Sequence, residues 1–228
     1  MQPYLFPYIG YFQLINAVDK FVIYDDVQWI KGGWINRNRY LVADRPTYFT
    51  LPTQRGMFPS NINQRVFVPG IEYHKQRMLR QLRHSYVNAP HFEAVFLLVA
   101  KCFSCTDNNV SVFVTNALRE CCAFLKISTP ILISSEIDIC DEYEAQDRVL
   151  AINRLLNSQQ FINPIGGVSL YDKAQFAAGG VHLRFMRTRE FSYRQFNRVF
   201  SGSLSIIDVM MFNNEMETTN LLSEFDLE

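Results

Sequence analysis

Between Ile9 and Asp26 a helical pattern gives way within a few residues to a strand that ends in two carboxylates, and this succession limits the folds open to the chain. The apolar residues Ile9, Tyr11, Phe12, Leu14, Ile15 and Val18 recur at the spacing of an amphipathic helix entered through Pro7 and Gly10. The run KFVIYD, Lys20 to Asp25, then reads as a buried strand. A short helix between extended segments is a crossover, and crossovers join parallel strands. The expected fold class is α/β, with a mostly parallel, Rossmann-like core sheet. Asp25 and Asp26 stand at the carboxyl end of the strand, where open parallel sheets place their ligands.

The same alternation returns late in the chain. Strand PILIS (Pro130 to Ser134), a helix from about Ala145 to Leu156, strand QFINPI ending at Gly166-Gly167, a short helix from Asp172 to Ala177 and strand VHLRFM (Val181 to Met186) make a two-unit βαβαβ pattern. Between the two regions Thr47 to Pro52 and Arg65 to Val68 alternate like strands. His74 to Tyr86, Phe92 to Phe103 and Asn109 to Leu125 then carry apolar residues at helical spacing. The expectation is one domain over residues 1–228, with a helical insertion at about 74–126. A further helix spans about Ser203 to Phe212, and an acidic tail at about 214–228 is expected to fray.

Charge decides little at the scale of the whole chain, because 22 basic residues balance 22 acidic ones. No net field favours nucleic acid or an anionic membrane, so partners must be recognised locally. The 19 phenylalanines and 11 tyrosines signal a large core together with possible stacking surfaces. Cys102, Cys105, Cys121, Cys122 and Cys140 are odd in number and lack the spacing of a zinc site, which reads as reduced thiols in a cytoplasmic protein. His74, His84, His91 and His182 make no metal-binding pattern with nearby acids, so no metal site is assigned. No apolar run approaches the roughly 20 residues of a membrane span. The basic helix HKQRMLRQLRHSY reads as a solvated face, since no nucleic-acid module surrounds it.

Candidate chemistry gathers in two early segments. In MQPYLFPYIGY, Pro3 and Pro7 fix the course of the loop and Gly10 permits close approach to the helix. Such a loop either presents backbone amides to an anion or is a rigid aromatic turn packed under the helix. Gln2, Tyr4, Pro7, Gly10 and Tyr11 would shape a pocket there. In YDDVQWIKGGWINRNR, Asp25 or Asp26 would act as general base or metal anchor, and Lys31, Asn36, Arg37 and Arg39 would hold phosphate or carboxylate. The competing reading is a solvated turn whose acids neutralise its bases. Ser134 and Ser135 at one strand end, and Gly166 and Gly167 at another, could bond phosphate and pass beneath a ligand, or merely cap and turn the chain. No phosphate loop, dinucleotide fingerprint or nucleophile elbow is present.

These stretches resemble the WbqC-like family: QPYLFPYIGYFQLI (Gln2 to Ile15), DKFVIYDDVQWIKGGWINRNR (Asp19 to Arg39), ISSEI (Ile133 to Ile137), GG followed by LY (Gly166 to Tyr171) and LSIIDVMMF (Leu204 to Phe212). The resemblance implies a context of bacterial surface polysaccharide, including O-antigen, biosynthesis. Family members generally place a few strand-forming apolar residues before the QP motif, and this sequence begins at Met1 without them, so no sheet edge is assigned beside the opening loop. The loop, helix and acid-ended strand also look like the HIGH-type nucleotidyltransferases. Pro7-Tyr8-Ile9-Gly10-Tyr11 holds no histidine where that superfamily uses two, and Ser134-Ser135-Glu136 continues without its arginine.

The expected function is that of a transferase or ATP-dependent ligase acting on a nucleotide-activated sugar or amino sugar, with a small-molecule nucleotide or nucleotide-sugar partner and a nucleotide with magnesium as the fitting cofactor. The alternative is a noncatalytic binding or assembly subunit of the same pathway.

Overall fold

The computed structural model describes residues 1–56, 59–139, 143, 145–196 and 199–228; Cys140 lies outside them. The first helix, α1 (Ile9–Asn16), is buried on every side from Ile9 to Ile15, where an amphipathic element was expected. A polar side chain in such a helix needs partners. Gln13 finds them by donating to the carbonyls of Leu221 (2.7 Å) and Glu224 (3.0 Å) and accepting from the Thr188 hydroxyl (2.7 Å). Leu221 and Glu224 belong to the C-terminal segment, which forms α8 (Glu215–Leu222) and β7 (Phe225–Leu227). The expected frayed tail is therefore ordered structure, because it closes over α1.

The mixed α/β character holds, whereas the single parallel sheet does not. Among the described residues, β1 (Phe21–Ile23) pairs in parallel with β4 (Ile131–Ile133), matching Phe21 with Ile131 and Ile23 with Ile133. β2 (Arg37–Val42) and β3 (Arg45–Thr50) form an antiparallel hairpin around Ala43 and Asp44, whose φ values are 48° and 59°. β5 (Gln160–Pro164) pairs in parallel with β6 (His182–Thr188), and β7 adds antiparallel to β6. The described strands thus lie in three separate sheets. The late βαβαβ pattern splits because β4 joins β1 instead of β5.

A physical reason lies at the split. β1 and β4 are three residues long, and immediately beyond them the chain presents Asp25, Asp26, Ser134 and Ser135, whose side chains bond to one another. Tyr24 turns away into a second, smaller core of Val149, Leu150, Phe176, Val181, Leu183 and Phe185. A polar seam therefore stands where a continuous sheet would have run.

Three helices fill the middle of the chain: α2 (Ile71–Tyr86), α3 (Phe92–Phe103) and α4 (Val110–Phe124). Asn109 caps α4 by accepting from the amides of Ser111 (2.9 Å) and Val112 (3.2 Å), which accounts for its sharp start. The three helices share the main core with the opening loop, α1, β1 and α7 (Ile206–Phe212). α5 (Ala145–Leu155) and α6 (Lys173–Ala178) belong to the smaller core, through Val149, Leu150 and Phe176.

Candidate functional site

Asp25 and Asp26 follow β1 in contrasting settings. Asp25 is 3% exposed, and its Oδ1 accepts from the Ser134 hydroxyl (3.1 Å) and the Ser135 amide (3.1 Å). Its Oδ2 accepts from the Ser135 hydroxyl (2.9 Å) and, more loosely, from Ser111 on α4 (3.4 Å). Its backbone amide donates back to Ser134 Oγ (3.2 Å), and its carbonyl accepts from Asn63 (2.9 Å). With Ser134 turned toward it, this carboxylate accepts four hydrogen bonds, two at each oxygen, so Asp25 organises the ends of β1 and β4.

Asp26 accepts from the same Ser134 hydroxyl and forms an ion pair with Arg148 of α5, both side chains being 14% exposed. A hydroxyl carries one proton. Ser134 can serve only one of the two carboxylates at a time, and Asp26, whose other donor is Arg148, keeps acceptor capacity to spare whichever way the hydroxyl turns. Burial pushes the Tyr24 phenol up to about 12, against the pull of the Arg148 charge. Tyr171 borders the same seam, and an added Cβ at Gly167 would come 3.7 Å from its ring. Gly167 itself makes room for Asn163, whose Nδ2 would lie 1.9 Å from that Cβ, while nothing crowds Gly166.

The opening loop is held by a second group. Asn38, buried on β2, donates from Nδ2 to the carbonyls of Leu5 (3.1 Å) and Phe6 (2.9 Å), and the Ser205 hydroxyl also donates to Phe6 (2.7 Å). These bonds hold Phe6 at φ 43°, a region that costs a bulky residue energy and persists only when its surroundings over-determine it. Ile206 donates to the Pro7 carbonyl (2.8 Å). Tyr11 donates to the Gln2 carbonyl (2.8 Å) and lies 5.7 Å from the Tyr4 ring. Gly10 leaves space for the ring of Tyr8, since a Cβ there would fall 2.4 Å from it. The start of α1 is thus covered by a side chain of its own loop.

Arg37 and Arg39 face outward from β2. Arg37 donates to the carbonyls of Gly32 and Gly33 and lies 4.9 Å above the Tyr48 ring. Arg39 lies 5.6 Å from the Trp34 ring and donates to the Ser203 carbonyl (3.2 Å), while its buried Nε has no partner. Trp34 and Tyr48 stack at 6.0 Å. Lys31 is exposed, and Asn36 is occupied by the Leu51 carbonyl (2.8 Å).

The loop ties these two neighbourhoods together. Tyr24 donates its amide to Met1 (2.7 Å) and Leu5 donates to Trp34 (3.1 Å). Four residues reach at most about 14 Å. Residues 1–5 thus run as a wall between the carboxylate corner and the arginine face, bonded to Tyr24 at one end and to Trp34 at the other. Two shallow cavities, of about 360 and 280 Å³, lie elsewhere, one along β6 and one beside the β2–β3 turn and α2.

Several residues of this architecture are absent from the sequence-based list. Arg148 comes from a helix 122 residues away and carries no local signal. Asp208 does, as the one acid in the apolar run LSIIDVMMF. It is fully buried and accepts from Tyr86 (2.6 Å), Tyr193 (2.6 Å) and Gln195 (2.7 Å). Burial raises its carboxyl above the usual carboxylate range.

Magnesium does not fit this donor set. Asp25 has no free oxygen, Asp26 is neutralised by Arg148, and the described residues hold no group of three metal-ligating side chains. Nor is any described helix long and apolar enough to cross a membrane.

A chain in which the two acids after β1 bond the serines after its parallel partner β4 matches a family model. Residues 2–220 fit the WbqC-like protein family, and the chain belongs to it. It is also similar to the uncharacterized protein Rv1507c of Mycobacterium tuberculosis, with 27% identity over 95% of this chain and 93% of that protein. No solved structure resembles the chain closely enough to count as a match.

Proposed function

We propose that this protein is a transferase or ligase that binds a nucleotide-activated sugar at the corner between β1 and β4, in bacterial surface polysaccharide biosynthesis. The pathway comes from the family context. The observation that carries the chemical reading is the single Ser134 hydroxyl shared between a saturated carboxylate and an unsaturated one at the carboxyl ends of parallel strands.

Asp26 is the base in this reading. It accepts the proton of an amino or hydroxyl group on the sugar, and Arg148 fixes the direction of its carboxylate. Asp25 acts through Ser134 and Ser135 as a positioning residue. Arg37, Arg39 and Lys31 hold the phosphates, aided by the Trp34 and Tyr48 rings, across the wall formed by residues 1–5. Gln2, Tyr4 and Tyr11 shape that wall.

A thermal-shift screen of nucleotides, nucleotide sugars and acyl donors tests the binding step, because a ligand specific to the folded state raises its melting temperature. A hit retained in Asp26→Asn but lost in Arg39→Ala, with turnover abolished in Asp26→Asn, supports the assignment. The noncatalytic alternative draws on the saturation of Asp25 and on the location of both cavities away from the corner. It is favoured if Asp26→Asn leaves polysaccharide output unchanged in cells.

A further inference from the structure

The cavity of about 280 Å³ opens where the end of α2 meets the β2–β3 turn, and its wall is rich in acceptors that the described chain does not use. α2 closes with Val87 donating to Arg83 (3.0 Å) and Ala89 donating to Tyr86 (2.8 Å). Among the described residues the carbonyls of His84 and Ser85 therefore receive no backbone donor. Both residues line the cavity, together with Asn88. Leu41 brings a third carbonyl. It stands opposite Pro46, which has no N–H, and its amide donates to the Tyr86 hydroxyl (2.8 Å). In an antiparallel ladder the N–H and C=O of one residue point to the same side, so the Leu41 carbonyl is turned away from β3, and no described residue donates to it. Asp44 adds an exposed carboxylate from the turn, without an ion pair among the described residues.

The charge of this wall favours a donor that is also a cation. The end of a helix carries partial negative charge, Asp44 carries a full one, and no described residue of the wall is a lysine or arginine. An ammonium group has three donors and no acceptor. Beside these acceptors stands the Phe196 ring, 42% exposed and fixed from behind by Phe212 (4.8 Å, edge-on) and Tyr86 (5.9 Å). The preceding residue, Gln195, donates to the Ser201 carbonyl (3.1 Å) and accepts from its amide (2.8 Å), which holds the loop that carries the ring. A fixed aromatic face packs the C–H side of a saturated ring and attracts a cation. Asn88 and His84 offer both donors and acceptors, as hydroxyl groups require. The volume falls below that of a pocket for a drug-sized ligand, which suits a single ring.

We infer that this cavity binds one unacylated amino-sugar unit, with its ammonium against Asp44 and the α2 carbonyls, a C–H face on Phe196 and its hydroxyls toward Asn88 and His84. The site shares no residue with the corner between β1 and β4 and does not depend on the role proposed there.

A heteronuclear NMR titration of the full chain tests this with D-glucosamine, below the pKa of its amine. Saturating sugar should shift the backbone amide signals of Ala43, Asp44 and Asn88. Glucose, N-acetylglucosamine and butylammonium each lack part of the required chemistry and should bind at least tenfold more weakly. Asp44→Asn should cost glucosamine at least tenfold in affinity and leave that of glucose unchanged. Asparagine suits the positive φ of position 44, so this variant should keep the parent melting temperature. Phe196→Ala should weaken both sugars by a similar factor. Equal affinity for glucose and glucosamine, butylammonium binding as tightly as the amino sugar, undiminished binding in Asp44→Asn, or no saturable shift at the cavity would each overturn the inference.

Discussion

Asp25 and Asp26 differ in how many donors face them, and substitutions should separate them accordingly. Asparagine at position 25 would turn an amino group into a ring of N–H and O–H donors, leaving buried groups unsatisfied at about 3 kcal/mol. Asp26→Asn loses only one semi-buried ion pair and a shared hydroxyl, at about 1 kcal/mol. Urea unfolding of the two variants checks the order. Asp208 adds a pH dependence. Its carboxyl titrates higher in the folded chain than in the unfolded one because of burial, so the folded state holds the extra proton between those two values. The stability this confers is full below the ordinary carboxylate pKa and is lost as pH rises through the elevated one. Unfolding free energies measured from pH 3.5 to 7 should therefore fall more steeply for the parent than for Asp208→Asn, whatever the offset between them.

Two elements owe their geometry to particular backbone positions. The β2–β3 turn runs through Ala43 and Asp44 with positive φ at both, as a two-residue hairpin turn requires, yet alanine is poorly suited to that region. Ala43→Gly should stabilise the hairpin by about 0.5 kcal/mol, read as a rise in melting temperature. At the head of α1, Gly10→Ala would push a methyl group into the Tyr8 ring, which is 40% exposed and free to swing outward. The loss should be about 1 kcal/mol, and it should shrink when Tyr8→Ala is added, a coupling that a double-mutant cycle measures. The hairpin also shows why an element can escape a pattern search. β2 reads RNRYLV, and its outward arginines lie on aromatic rings while inward Asn38 serves the opening loop, so the strand lacks clean apolar alternation.

Across the whole molecule the tyrosines act together. Burial raises Tyr11, Tyr40, Tyr86 and Tyr193 above the ordinary phenol value, and Tyr24 to about 12. Unfolded phenols titrate near 10. Stability present below that value is then lost as pH rises past it, because the unfolded chain releases protons that the folded chain retains. An alkaline titration followed by tyrosinate absorbance should show these rings ionising only with cooperative unfolding above about pH 10.

Local pattern carried much of the architecture. α3 was legible to the residue, α4 and α5 nearly so, and the strand ending in Asp25 and Asp26 was readable because apolar runs of different period announce themselves within a dozen residues. The proximity of Ser134 to Asp25 was hinted at only through shared strand ends. What tertiary structure alone decided was pairing: β4 with β1 instead of β5, the C-terminal strand against β6, Arg148 against Asp26, and Asn38 beneath the strained Phe6. Those choices rest on contacts between residues far apart in the chain, whose closure depends on every intervening element. A sequence records the periodicity of each piece, while the partners of its polar ends are fixed only when all the pieces exclude water together.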